Sequence, residues 1–283
     1  MRYRPFGRSG LVVSAVSLLL DSSARHSARD WRNLVSTALD CGINGFEIAG
    51  DDPTLIEGVG EALRAVEREL LFLAWRPRAL AAEPSDSIDS LLTHTGLGYL
   101  DLLSFDGPPP GAEPMERMRR VGRVRAYGLT GDDEDADLLI TLGAFNALTT
   151  CYSPVSGWKD RNRLKSASER DMAIIARNIW PDIMRPKTSV FKKPLLRDRA
   201  NPLAGVGGYN FLENTPGWTA EDICLAYVLT EPAVTTVRLD ADRVDRIIRL
   251  AEVPDRDLPT GVAAQIEMAR FSVAEPGAKA ARG

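Results

Sequence analysis

Short apolar runs alternate with longer amphipathic stretches along almost the whole chain, and the alternation repeats about eight times. The runs "SAVSLLL", "NGFEIA", "ELLFLAW", "GYLDLLSF", "RVRAYGL", "ALTTCY", "MAIIA" and "AVTTVRL" have the length of strands. Between them, apolar residues recur every three or four positions, the period of a helix. Ser27 predicts a helix start, with Asp30 three residues on in a capping-box position and Trp31, Leu34, Ala38 and Cys41 as its stripe. Leu55, Val59, Leu63 and Val66 give the same reading for Thr54 to Glu67. Further helices are predicted over Ser85–Thr95, Pro114–Val121, Asp132–Leu142, Arg163–Arg170, Trp218–Leu229 and Asp242–Ala251. A parallel strand needs a crossover to return, so this alternation predicts an α/β fold, a (β/α)8 TIM barrel. Ahead of it, Gly7–Gly10 splits the first apolar run into an N-terminal β-hairpin. One barrel domain is expected over residues 1–283, with about 275–283 a frayed tail.

Composition narrows the partners. The 283 residues carry 35 Lys+Arg against 39 Asp+Glu, a formal charge of −4, which offers no basic footprint for nucleic acid or an anionic membrane. No apolar stretch is long enough to span a bilayer, and the basic-then-apolar start is better explained by the hairpin than by a signal peptide. Cys41, Cys151 and Cys224 are odd in number and far apart, as expected of reduced cysteines in a cytoplasmic protein. With only His26 and His94, a histidine-rich zinc site is not expected, and no metal is assigned. The runs "MERMRRVGRVR" and "DDEDAD" suit a solvated helix face and a helix N-terminus respectively.

In a barrel of this kind, functional groups come from the C-terminal ends of the strands. That rule selects Glu47, Asp51 and Asp52, then Arg76 and Arg78, Asp106, Thr130, Tyr152, Arg177 with Asn178, and Arg238 with Asp240. The long connection from Asn178 to Gly217, with Trp180, Phe191, Tyr209, Phe211 and Gly205, Gly207 and Gly208, suits either a lid or a covering loop. Its "GVGG" does not sit between a strand and a helix, so it is no dinucleotide loop.

Several motifs resemble the aldo-keto reductase family: "MRYRPFGRSGLVVSAVSLL" its opening hairpin, which plugs the barrel bottom, and "TALDCGINGFEIA" its second strand. "SIDSLLTHTGLGYLDLLSFDGP", "VGRVRAYGLT" and "WTAEDICLAYVLTEPAVTTV" are similar to later segments, in order. The resemblance implies NADPH-dependent carbonyl reduction by a Tyr acid with Lys, Asp and His. Carried onto this chain, those positions are replaced. The Asp falls on Glu47, the Tyr on Asp51 or Asp52, the Lys on Arg76 and the His on Asp106. Among cofactor contacts, the Ser position falls on Thr130, the following Asn on Gly131, the Gln on Thr149 and the stacking aromatic on Arg177. A close-approach Gly falls on Leu19, and the phosphate loop becomes "RLDADR", where Arg238 and Arg243 are left as compensating cations.

Lacking the Tyr acid, the chain is expected to have lost family-type reduction, because an Arg cannot be tuned to relay a proton. Glu47 and Arg76 are expected to pair as buried acid and cation. Two carboxylates at one mouth repel, which makes Asp52 and Asp106 acid–base candidates, with Glu47 and Arg76 beside them. Arg76, Arg177 and Trp180 are the candidate ligand contacts, and the expected ligand is a small anion subject to lyase, dehydratase, isomerase or cyclase chemistry. Mg²⁺ on Glu47, Asp52 and Asp106 is disfavoured by the arginines around them. No cofactor is expected. Two alternatives stand beside this one: a divergent NADPH-dependent reductase using Thr130, Arg238 and Arg243, and a non-catalytic ligand-binding protein. If the reductase holds, Leu19 and Arg177 point away from the pocket.

Overall fold

Eight parallel strands close into a barrel, each hydrogen-bonded to its sequence neighbours, with the last returning to the first. The computed structural model describes residues 1–78, 85–109, 111–180, 212, 214–240 and 242–274. The barrel strands are β3 (Val16–Asp21), β4 (Gly45–Ala49), β5 (Phe72–Arg76), β6 (Leu100–Phe105), β7 (Val124–Thr130), β8 (Ala147–Cys151), β9 (Ala173–Arg177) and β10 (Val234–Asp240). The predicted N-terminal hairpin is present as β1 (Tyr3–Pro5) paired antiparallel with β2 (Val12–Ser14).

The helices follow the predicted order as α1 (Ala28–Asp40), α2 (Pro53–Leu63), α3 (Ser85–Thr95), α4 (Ala112–Arg120), α5 (Glu134–Leu142), α6 (Trp158–Ser168), α7 (Ala220–Leu229) and α8 (Val244–Glu252). Ser27 caps α1 through the expected box with Asp30, and Thr219 does the same for α7 with Asp222. Helix α2 ends at Leu63 rather than Glu67, so Val66 leaves the stripe for the turn behind it. Among the described residues a further helix, α9 (Val262–Ala274), was not predicted. Val262, Ile266 and Ala269 bury on one face of it, and Glu267 is fastened by Arg161 at 3.1 Å. Most of the connection singled out after β9, Phe191, Tyr209 and Phe211 included, and the tail 275–283 lie outside the described residues.

Two apolar cores result from the strand alternation. The larger lies between the barrel wall and the helices, where outward residues such as Leu18, Ile48, Leu73, Leu103 and Ile174 meet the helix stripes. The smaller fills the lower barrel with Phe72, Ala74, Leu102, Ala126, Ala147, Ala173 and Ile175, and is plugged from below by Phe6 and Val13 of the hairpin. The Phe6 and Phe72 rings stand 4.4 Å apart. Gly45 is required by this plug: a Cβ there would lie 2.8 Å from Val13 Cγ2 and 2.9 Å from Ser17 Cβ. Because the small core fills the bottom, the next inward layer is the first to meet solvent at the C-terminal end.

Phe6→Ala removes the centre of the plug and leaves a cavity. It is expected to lower the unfolding free energy by about 3–5 kcal/mol, measured by urea denaturation.

Candidate functional site

Alternation turns Glu47, Arg76 and Arg177 inward at the top of the apolar layer: Glu47 is in register with the inward Ala74, which Arg76 follows by two, and Arg177 follows Ile175 by two. Glu47 is buried, at 3% exposure. Its Oε1 accepts from Arg76 Nε at 2.9 Å, the expected pair, and also from Arg238 Nη1 at 2.7 Å. The run "AVTTVRL" places Arg238 in the last strand, while the resemblance counts it with a phosphate loop; the strand reading holds. Strand β10 continues to Asp240, so Arg238 is still a strand residue and points inward, its side chain only 7% exposed. Burial pushes the Glu47 carboxyl up, but the two guanidiniums, Arg238 foremost, override it and hold the group below its ordinary range. Arg76 also donates to Asp106 Oδ2 at 3.1 Å, and this acid is 54% exposed at the rim.

Pairing of Val237 with Ala176 sets Arg238 beside Arg177 on adjacent strands, two like charges facing inward. They turn apart, Arg238 to Glu47 and Arg177 to Asp132. Asp132 is the residue that the sequence did not single out. It was expected at the start of α5, but Asp133 caps that helix, accepting from the Ala136 N–H at 2.9 Å. Asp132 folds back over β8 instead, where it accepts from the Thr150 hydroxyl at 2.8 Å and the Cys151 N–H at 2.5 Å. Gly131 permits the turn, since a Cβ there would lie 2.6 Å from Ala136 Cβ. Burial raises the Asp132 carboxyl, but the Cys151 N–H, Thr150 and Arg177 outweigh it and hold the group low. Burial pushes the neighbouring Cys151 thiol up to about 11, which keeps it protonated.

The loop after β10 is closed by ion pairs. Arg246 donates to Glu221 at 2.6 Å, to Asp242 at 3.0 Å and to the Asp240 carbonyl at 2.9 Å. Glu221 also accepts from Arg249 at 2.7 Å, and both arginines help hold its carboxyl low against burial. Arg243 lies outside this group, largely exposed beside Asp245.

A pocket of about 340 Å³ opens among these elements at the mouth, lined by Leu19, Arg76, Arg177, Ile179, Trp180, Glu221, Arg238, Leu239, Asp240 and Arg246. It unites the expected Arg76, Arg177 and Trp180 and adds Arg238 and Arg246. Asp52 and Asp106 are not joined: Asp52 caps α2, accepting from the Leu55 N–H at 2.9 Å, while Asp106 is drawn to Arg76. The proposed repulsion between these two acids therefore has no contact to support it. Asp51 is exposed and faces an outer cleft with Trp75, Arg78 and His94. Thr130 is half-buried beside Thr149, its hydroxyl enclosed. Among the described residues, no three His, Cys, Asp or Glu side chains gather as metal ligands, and no helix is long and apolar enough to cross a membrane.

Among solved structures, the fold is similar to aldo-keto reductase AKR11C1 from Bacillus halodurans. The holo form matches at a TM-score of 0.75 with 19% identity, over 95% of this chain and 96% of that one. The apo form matches at 0.73 with 18% identity over the same shares. At such identity the likeness establishes the fold. No protein-family model matches the sequence, and neither does any curated protein.

A carboxylate whose folded pKa is depressed gives stability that is full above its unfolded pKa and lost as pH falls through the folded one. Glu47→Gln leaves Arg76 and Arg238 without their shared charge, and is expected to cost about 3–5 kcal/mol at neutral pH. That difference should shrink below about pH 4, as the native carboxylate takes up its proton. Urea unfolding of both proteins across a pH series measures it, and a pH-independent difference would contradict the assignment.

Proposed function

We propose that the barrel mouth binds a small anionic metabolite and supports non-redox acid–base chemistry, of the lyase, dehydratase, isomerase or cyclase kind. The observation that carries this reading is the wall of the pocket, where Arg76, Arg177 and Arg238 bring guanidinium forks to one small space. Such forks match the oxygens of a carboxylate or phosphate. Asp106 is the group we assign to proton transfer, because it is exposed at the rim and tethered by a single bond to Arg76. A ligand that takes over this guanidinium releases the acid beside itself. The partner is a small molecule, since a formal charge of −4 gives no attraction for nucleic acid or anionic lipid.

The residues present do not fit a nicotinamide dinucleotide. Leu19 and Arg177 both stand on the pocket wall, where the reductase alternative needs them turned away. The loop after β10 draws Arg246 onto Glu221 and Asp242, leaving carboxylates where the resemblance places a phosphate. Neither Asp51 nor Asp52 supplies a phenol, and Asp52 is occupied with capping α2. That last observation also favours a second reading, a barrel that binds its ligand without transforming it.

Titration of the protein with NADPH and NADP⁺, followed by nicotinamide fluorescence and calorimetry, tests the reading. No binding is expected up to millimolar cofactor. Micromolar binding, with NADPH oxidised on addition of aldehydes or ketones, would restore the reductase.

A further inference from the structure

Resting on the anion-binding reading above, we infer that the ligand is a compact organic carboxylate whose head lies between Arg177 and Arg238 and whose body packs on Leu19, Ile179 and Trp180. The first support is the state of the two arginines. Arg238, with its side chain 7% exposed, gives one N–H to Glu47, and its other N–H groups have no partner among the described residues. The Arg177 Nε–H is buried and unpartnered, while Nη2 is taken by Asp132. An enclosed donor without an acceptor, as at Arg177 Nε, is costly, and both guanidiniums line the pocket.

Charge balance selects the head group. Arg76, Arg177 and Arg238 face Glu47, Asp132 and Asp106, while Arg246 on the same wall is already matched by Glu221 and Asp242. Glu47 and Asp132 are each fixed by several bonds, whereas Asp106 is more than half exposed and accepts one. Exchanging Asp106 for the ligand keeps the cluster neutral if the ligand carries a single negative charge. A carboxylate does, while a phosphate monoester carries about −1.5 to −2 near neutral pH and leaves the cluster over-compensated. Leu19, Ile179, Leu239 and Trp180 give the same space an apolar side, and about 340 Å³ admits only a compact body.

Calorimetry and ligand-observed NMR on the full chain with benzoate, phenyl phosphate and inorganic phosphate test the inference. Benzoate is expected to bind more tightly than either phosphate. Arg177→Met should weaken it by roughly tenfold or more with little change in unfolding temperature. Arg238→Met strands Glu47, so the paired variant Glu47→Gln/Arg238→Gln is used beside it and should weaken benzoate likewise. Tighter binding of phenyl phosphate or inorganic phosphate overturns the carboxylate assignment and leaves the anion reading standing. Benzoate binding that is indifferent to Arg177→Met and to the paired variant overturns the placement. If none of the three probes binds at millimolar concentration, the anion reading itself falls.

Discussion

One oxygen atom, Oε1 of Glu47, holds two guanidinium groups inside the barrel, and the upper interior is arranged around that charge. A carboxylate at this depth is tolerable only with a cation in contact, and a cation left over needs an acid of its own. Arg76 therefore extends the chain of charges outward to Asp106, while Arg238 brings β10 into the same group as β4 and β5. Arg177, pressed against Arg238 by strand register, is forced to find its acid on the far side, at Asp132. From Glu47 to Asp106 and from Arg238 to Asp132, each charge in this group is placed by satisfying the one before it.

Much of this was legible in the sequence. Short apolar runs, helical stripes and the Ser27 cap placed the eight barrel strands and the helices between them in order, because local chemistry and the barrel agree there. Glu47 and Arg76 were legible as a pair, since an inward acid on one strand demands a cation on the next. Arg238 and Asp132 were not. Arg238 falls within the last strand run, but its pairing with Glu47 depends on how β10 and β4 align on either side of β3, which neither segment spells out alone. Asp132 and Asp133 are identical neighbours, and only the tight turn at Gly131 decides which one caps α5 and which one bends back over β8. Asp52 shows the same ambiguity resolved the other way: a carboxylate at a strand end proved to be a helix cap. Helix α9 escaped notice because its buried face is thin, and its fastening depends on Glu267 reaching Arg161 across the surface.

The barrel shares its fold with the aldo-keto reductase AKR11C1 structures, and its mouth is built of ion pairs. Scaffold and site are separable in this architecture, since strand registers and plug fix the former and strand ends the latter. Replacing mouth residues with charged pairs leaves the lower core untouched, because the apolar layer of Phe72, Ala74 and Ile175 lies between them and the hairpin.

The hairpin plug has a kinetic side. With Phe6 and Val13 seated in the lower opening, the barrel is a vessel with one door. Under the ligand-binding reading proposed above, a molecule held at the mouth enters and leaves past Arg76 and Arg177, because the lower end is filled. On that reading the rim, where Asp106 stands half in water beside Arg76, is the threshold the molecule crosses both ways.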